Sequence, residues 1–281
     1  MTEDRHTELL VAHAPEVSAA KARRWGAFYF TEHMLRGMRA YLVTIVVTSV
    51  GNPLLYLFSM GVGLASIVDR NPSAHFGGVG YLAYAAPALL VSSAVMTCAN
   101  EMMFPVMDGF KWRRIYYGPH VTPLVPGQLA AGHVMAVGVR LVVQCTVFFL
   151  IVLAFGAAVS PAAWLLIPVG VLSGLAVGTP LMAYAASIQK ENFQFSMIQR
   201  FIIMPLFLFS GTFYPLETMP SAMQWIGWIS PLWHGNELGR FVAIGLTEPV
   251  WLVAVHVLYL AALCVFGILW ARRNYTKRMG A

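Results

Sequence analysis

The stretch VWLVAVHVLYLAALCVFGILW, Val250 to Trp270, contains no Asp, Glu, Lys or Arg. It is as long as the roughly 20 apolar residues that a helix needs to cross about 30 Å of hydrocarbon. Stretches of the same kind recur upstream as far as Tyr41. In lipid each backbone amide must be satisfied within its own segment, so these runs predict helices. A membrane barrel would show segments of about ten residues alternating apolar and polar, and that pattern is absent. The expected fold class is all-α, a polytopic membrane protein with six transmembrane helices.

Composition points the same way. Of 281 residues, 58% are hydrophobic and 11% charged, and the mean hydropathy is +0.68. A soluble domain carries about 25% charged residues, which excludes an ordinary soluble enzyme. The net charge of +6 is scattered over span ends and forms no basic stripe, so nucleic acid is not an expected partner. Cys98, Cys145 and Cys264 lie inside apolar runs without CxxC spacing, so they read as small packing residues.

The spans fall at about 41–63, 81–104, 131–155, 162–188, 197–213 and 250–270. They form a transmembrane domain over 41–271, between a polar tail at 1–20 and a basic tail at 272–281. Residues 1–24 are polar and include Glu3, Asp4, Glu8 and Glu16, which predicts no secretory signal and a retained N-terminus. With that terminus in the cytoplasm, Arg5, Lys21, Arg23, Arg24, Arg36, Arg39, Lys111, Arg113, Arg114, Lys190, Arg200, Arg272, Arg273, Lys277 and Arg278 all fall inside. Arg70 and Arg240 fall outside and Arg140 lies within a span, so both termini are expected to be cytoplasmic in the plasma membrane. Residues 21–40 mix Trp25, Phe28, Phe30 and Leu35 with five basic residues. They read as an interfacial amphipathic helix, the alternative being a plain basic stop before the first span.

Two connections are too elaborate to be simple turns. Pro105 to Ala130, on the cytoplasmic side, carries Asp108, Lys111, Trp112, Arg113, Arg114, Tyr116 and Tyr117 ahead of Pro119, Pro123 and Pro126. Reversing the chain needs only a few residues, so a partner is expected to dock there. On the outer side, Ser210 to Pro249 is apolar but broken by Pro215, Pro220 and Pro231 into pieces too short to span. Short amphipathic or re-entrant helices fit, with Trp225, Trp228 and Trp233 in an aromatic belt. That segment reads as a lid.

The chain lacks GxxxxGK[ST], and none of Lys21, Lys111, Lys190 and Lys277 follows a glycine, so ATP is not expected to bind here. HExxH, GxSxG and Cys/His clusters are likewise missing, which argues against catalysis and against a metal in this chain. Two ionisable groups fall inside spans, Glu101 near the cytoplasmic end of the second and Arg140 in the third. They either pair with each other, or Arg140 snorkels to headgroups while Glu101 touches interfacial water. His133, His234 and His256 read as packing or interfacial residues. Asn52, Pro53, Pro87, Pro168 and Pro180 interrupt the spans. Gly170, Gly174 and Gly178 form a smooth stripe suited to packing within the chain or between subunits.

The order of parts, with Phe209-Ser210-Gly211-Thr212-Phe213-Tyr214-Pro215-Leu216, Met219-Pro220 and Ser230-Pro231-Leu232, resembles the type 2 ABC exporter permeases. The likeness is greatest to those similar to the nodulation lipo-oligosaccharide and daunorubicin-resistance exporters, and covers about Arg24 to Arg273. Glu101 sits where that family tends to carry an acid, and Thr122-Pro123 with Gly127 resembles its turn into the third span. The stretch Arg113-Arg114-Ile115-Tyr116-Tyr117-Gly118 departs from the family pattern. The resemblance implies two permease subunits, identical or related, with two ATP-binding subunits docked on Asp108 to Pro123. It implies ATP and magnesium on those partners, a lid that includes Ser210, Gly211, Phe213, Tyr214, Pro215, Pro220 and Pro231, and export of an amphipathic cargo. An ion-driven carrier would instead show internal repeats and several midplane acids, and neither is evident.

Overall fold

The computed structural model describes residues 15–69, 76, 78–120, 122–190 and 193–280. Among these the chain is all-α. In order, α1 (Pro15–Met38) passes through a 3₁₀ turn (Arg39–Tyr41) into α2 (Leu42–Phe58), a π turn (Ser59–Leu64) and α3 (Ala65–Val68). Then come α4 (Tyr81–Met107), a π turn (Asp108–Trp112), α5 (Tyr117–His120), α6 (Pro126–Ala154) and α7 (Leu166–Ser187). The chain continues with α8 (Gln194–Ile198), a π turn (Gln199–Ile203), α9 (Met204–Phe209), α10 (Ser221–Ile229), α11 (Pro231–Ile244) and α12 (Val250–Met279).

Among the described residues, five helical stretches are long and apolar enough to cross a membrane: Ala19–Val68, Tyr81–Trp112, Pro126–Ala154, Ala163–Ser187 and Val250–Met279. The fifth expected span corresponds to the shorter apolar stretch Gln194–Phe209. At about 1.5 Å per residue it is roughly 24 Å long, less than the hydrocarbon thickness. The polytopic all-α reading therefore stands. Arg70, one of the two basic residues assigned to the outer side, lies outside the described residues.

The ends of the helices are set by local chemistry. Asp69 accepts from the Tyr81 backbone N–H at 2.9 Å, placing a carboxylate at the positive end of α4. Ser230 caps α11 by accepting from Leu232 and Trp233, with Pro231 at the first helical position where its missing N–H does no harm. Gly245, at φ 72°, ends that helix in the left-handed conformation that glycine adopts without strain.

The core is built around α7, which packs on α4, α6 and α12. The glycine stripe faces inward: a Cβ on Gly170 would come within 2.8 Å of Leu90 and 2.9 Å of Cys145, and one on Gly174 within 3.1 Å of the Ala94 carbonyl. Without side chains there, helix axes approach closely. On the opposite face of α7, Thr179 donates to the Cys264 carbonyl at 3.1 Å, and Asn274 Nδ2 donates to the Ala183 carbonyl at 2.7 Å.

The first helix is packed against the bundle. It begins at Pro15, earlier than expected, and lies on the start of α6, where Phe30 is buried against Gly132. Gln128 Nε2 donates to the Arg23 carbonyl at 2.6 Å, while Trp25 and Phe28 stay exposed. The connection expected as a loop over Pro105 to Ala130 is largely helical, because α4 continues through Pro105 and α6 begins at Pro126.

The elements define two ends of the bundle. A terminal end gathers α1, residues 108–120 and 122–125, and the last turns of α12. The distal end carries residues 210–249.

Candidate functional site

At the terminal end the chain solves a problem that Pro105 creates. A proline inside a helix cannot donate to the carbonyl four residues back, which here belongs to Glu101. His133 Nε2, from α6, sits 3.2 Å from that carbonyl and supplies the missing N–H. That bond fixes the tautomer, so His133 Nδ1 accepts from the Tyr116 hydroxyl at 2.8 Å. Tyr116, expected among the docking residues, is fully buried among Phe30, Phe110 and Tyr275. This is a correction: its side chain cannot meet a partner, and it instead ties the connection to three helices. Burial, the largest cause, pushes its hydroxyl well above the ordinary tyrosine range, so it remains a donor.

The other expected docking residues divide by exposure. Trp112, Arg113, Arg114, Tyr117 and Thr122 are exposed. Arg113 pairs with Asp108 at 3.1 Å, and Arg114 stands in the left-handed region at φ 55°. Lys111, Arg114 and Arg278 line one groove with Phe110 and Tyr117. Thr122 closes the turn before Pro123, its backbone N–H donating to the Pro119 carbonyl at 3.0 Å.

One turn above the terminal end, the Arg140 guanidinium and the Glu101 carboxylate form an ion pair, with side chains 18% and 21% exposed. Of the two sequence readings, the structure takes the contact. Glu101 thereby joins α6 twice, through its carboxylate to Arg140 and through its carbonyl to His133.

Midway along the bundle, a cleft of about 280 Å³ opens among α2, α4 and the 194–209 stretch. It is lined by Asn52, Tyr56, Leu89, Ser93, Met96, Thr97, Asn100, Gln199 and Phe207. Gln144, from α6, donates to Ser93 Oγ and Thr97 Oγ1, both at 3.0 Å. The Gln199 side-chain oxygen is buried without a hydrogen-bond partner among the described residues. Amides and hydroxyls without a charge, set in an apolar wall, suit a neutral polar group carried on an apolar body. Sequence reading missed this cleft. The available signal was Ser93, Thr97 and Asn100, spaced by four and three on one face of an otherwise apolar helix.

At the distal end, the expected lid residues form a network with Arg240 at its centre. Arg240, expected on the outer side, is fully buried. Its Nε donates to the Tyr84 carbonyl at 3.3 Å, its Nη1 bonds Glu237 at 2.7 Å, and its Nη2 donates to the carbonyls of Gly211 and Thr212. The guanidinium also lies 3.8 Å from the centre of the Tyr84 ring. Gly211, at φ 66°, turns its carbonyl to that cation. Ser210 and Ser230 share a 2.5 Å hydrogen bond, and Asn236 donates to the Ser210 carbonyl and Thr212 Oγ1. Thr212 in turn meets Ser92 of α4 at 3.3 Å.

The remaining residues of this segment shape the chain. Phe213 packs edge-on against Phe207, and Tyr214 donates to the Leu208 carbonyl at 3.2 Å. Pro215 and Pro220 precede the 3₁₀ turn Leu216–Thr218 and α10. Of the three tryptophans expected in a belt, Trp225 and Trp228 are exposed, while Trp233 is half-buried with its ring against His234 and His256. Among the described residues no group of three His, Cys, Asp or Glu is placed to hold a metal ion.

A family model described as ABC-2 type transporter matches residues 30–244, from Phe30 in α1 to the end of α11. The chain is 25% identical to nodulation protein J of Sinorhizobium fredii (strain NBRC 101917 / NGR234) over 237 residues, 83% of this chain and 86% of the relative. It is 23% identical to nodulation protein J of Rhizobium meliloti (strain 1021) over 253 residues, 90% and 92% of the two chains. Against nodulation protein J of Rhizobium leguminosarum bv. trifolii the identity is 26% over 217 residues, 77% and 79%.

Proposed function

Because the chain belongs to the ABC-2 type transporter family, and so is a membrane subunit of an ABC transporter, we propose that it carries an amphipathic, glycolipid-like molecule out across the plasma membrane. A separate ATP-binding subunit drives the cycle, and a second copy or a related permease completes the path. The terminal end faces the cytoplasm and residues 210–249 form an outer lid. The observation that carries this reading is the cleft lined by Asn52, Ser93, Thr97, Asn100 and Gln199. Neutral hydrogen-bonding groups fit sugar hydroxyls and amides. The apolar flanks, with Val46, Leu54, Leu55 and Phe58 exposed on the first span, fit an acyl chain.

Coupling follows from the contacts at the terminal end. The ATP-binding subunit docks on Lys111, Arg113, Arg114 and Tyr117, and nucleotide must bind one arrangement of the assembly more tightly than the other to do work. Motion of the dock reaches the spans through Tyr116 and His133, which hold Glu101 in α4 and hence its ion pair with Arg140. The cleft lies between that ion pair and the lid, so the same helix α4 carries Glu101, lines the cleft and touches the lid at Ser92 and Tyr84.

The test is ATP-dependent transport into inverted vesicles of a fluorescent acylated oligosaccharide. Ser93→Leu with Thr97→Leu replaces two cleft hydroxyls by apolar groups. Transport of the acylated sugar falls at least about tenfold, as about 1.4 kcal/mol of lost recognition requires, while ATP-binding subunit recovery is unchanged. Unaltered transport with the cleft rendered apolar contradicts the assignment.

A further inference from the structure

Beyond the network around Arg240, the distal end contains a second buried polar group that the transport reading does not use. His234 of α11 and His256 of α12 meet through their Nδ1 atoms at 2.6 Å, and both side chains are buried. His234 Nε2 lies 3.1 Å from the Trp228 carbonyl of α10, and His256 Nε2 lies 3.5 Å from Glu248 Oε2 in the segment joining α11 to α12. The last two atoms are buried and make no hydrogen bond among the described residues.

The protons in this chain can be assigned from its ends. A carbonyl only accepts, so His234 Nε2 carries a hydrogen. Burial, with help from the neighbouring His256, pushes His234 down to about 4, which keeps it neutral and leaves its Nδ1 bare. His256 Nδ1 must then be the donor in the 2.6 Å bond. A neutral His256 would turn a bare Nε2 toward the Glu248 carboxylate, setting two lone pairs against each other in a buried place. One further proton, formally on His256 Nε2 or on Glu248, converts that opposition into a hydrogen bond.

We propose that His256 and Glu248 form a proton-binding site that latches the outer lid to the last span. With the proton bound, Trp228, His234, His256 and Glu248 form an unbroken chain of hydrogen bonds through α10, α11 and α12. When the proton leaves to the outer aqueous phase, the Glu248 carboxylate faces the bare His256 nitrogen and the lid is pushed from α12. The lid is held by acid outside and loosened by base.

The other groups facing the site are accounted for. From α11 these are Glu237, bonded to the Arg240 guanidinium but with its carboxyl raised by burial and by the Glu248 charge, and the Trp233 ring, edge-on to both imidazoles. From α12 it is Tyr259, whose hydroxyl donates to the Ile229 carbonyl at 2.6 Å and whose ring stacks on His234 at 4.3 Å. Glu217 is exposed on the 3₁₀ turn.

The test uses the full chain in lipid nanodiscs with Cys98, Cys145 and Cys264 replaced by alanine, and spin labels at Ser221→Cys on the lid and Leu150→Cys at the distal part of α6. Interlabel distances are recorded by pulsed electron resonance from pH 5 to pH 9. The expected result is a shift of the wild-type distribution toward longer distances as pH rises. In Glu248→Gln that shift is lost, because the amide N–H donates to His256 Nε2 at every pH and the lid stays closed. Glu217→Gln, a carboxylate outside the chain of bonds, keeps the wild-type response. A wild-type distribution indifferent to pH overturns the proposal, as does a Glu248→Gln lid that still opens in base. A Glu217→Gln lid that no longer responds overturns it too, by moving the proton elsewhere. Transport activity does not enter the measurement, so the latch can fail while the export reading stands.

Discussion

His133 donates to the Glu101 carbonyl in place of the N–H that Pro105 lacks, so a residue on the third span completes the helix of the second. His133→Ala orphans that carbonyl and the buried Tyr116 hydroxyl together. A buried polar group left unpaired costs about 1–3 kcal/mol, so the variant should melt well below wild type in detergent. Tyr116→Phe leaves the Glu101 carbonyl bonded to His133 and should show a smaller loss. Equal melting temperatures for wild type and His133→Ala would remove the histidine from this role.

The ion pair between Glu101 and Arg140 should behave as a unit. Removing one partner of a largely buried pair strands the other charge, at about 3–5 kcal/mol, so Glu101→Gln or Arg140→Gln alone should reduce the amount of folded protein. The double variant Glu101→Gln with Arg140→Gln should recover most of it, because neither charge is then uncompensated. Size-exclusion recovery of the three variants checks this, and a double variant worse than both singles would contradict it.

Arg240 holds the lid through carbonyls at Tyr84, Gly211 and Thr212. Lysine keeps the charge but cannot present the guanidinium's fork of donors. Arg240→Lys should therefore increase hydrogen exchange over residues 210–216 by at least about tenfold, equivalent to about 1.4 kcal/mol of lost local stability. Exchange over α6 should stay as in wild type. Uniform exchange across the chain would show that the loss is global and that Arg240 has no special hold on the lid.

Gly178 of α7 faces Cys98 and Met102 of α4. Gly178→Leu forces extra volume into that contact, an overpacking that costs about 1–3 kcal/mol, and should lower the melting temperature. The same change at Gly138, where a Cβ would meet nothing within 4 Å, should have little effect. Two equal responses would contradict the packing account.

Much of the fold could be read in the chain because membranes impose coarse rules. The uncharged run from Val250 to Trp270 lies within α12, and the run read as 81–104 lies within α4. The prolines at 215, 220 and 231 correctly marked where the distal segment breaks into short helices. The side of Arg240 could be read from the chain, but not its burial. Its burial depends on carbonyls more than a hundred positions away at Tyr84 and about thirty away at Gly211 and Thr212. Pro105 reads as a helix end, yet α4 runs through it, and His133, brought in by the fold, bonds the carbonyl it leaves without a donor. The cleft needs side chains from α2, α4 and the 194–209 stretch together, and no single stretch of sequence contains it.

The central claim, a permease driven by a separate ATP-binding subunit that docks at the terminal end, is tested most directly by purifying the tagged chain from native membranes. Its partners would be identified by mass spectrometry and the complex assayed for ATP hydrolysis, for wild type and for Arg113→Glu with Arg114→Glu. Both arginines are exposed, so the change should spare the fold. The account predicts that an ATP-binding subunit copurifies with the wild type, hydrolyses ATP, and is lost from the double variant. An intact wild-type chain recovered without any ATP-binding subunit, or a double variant that retains it fully, would contradict the account.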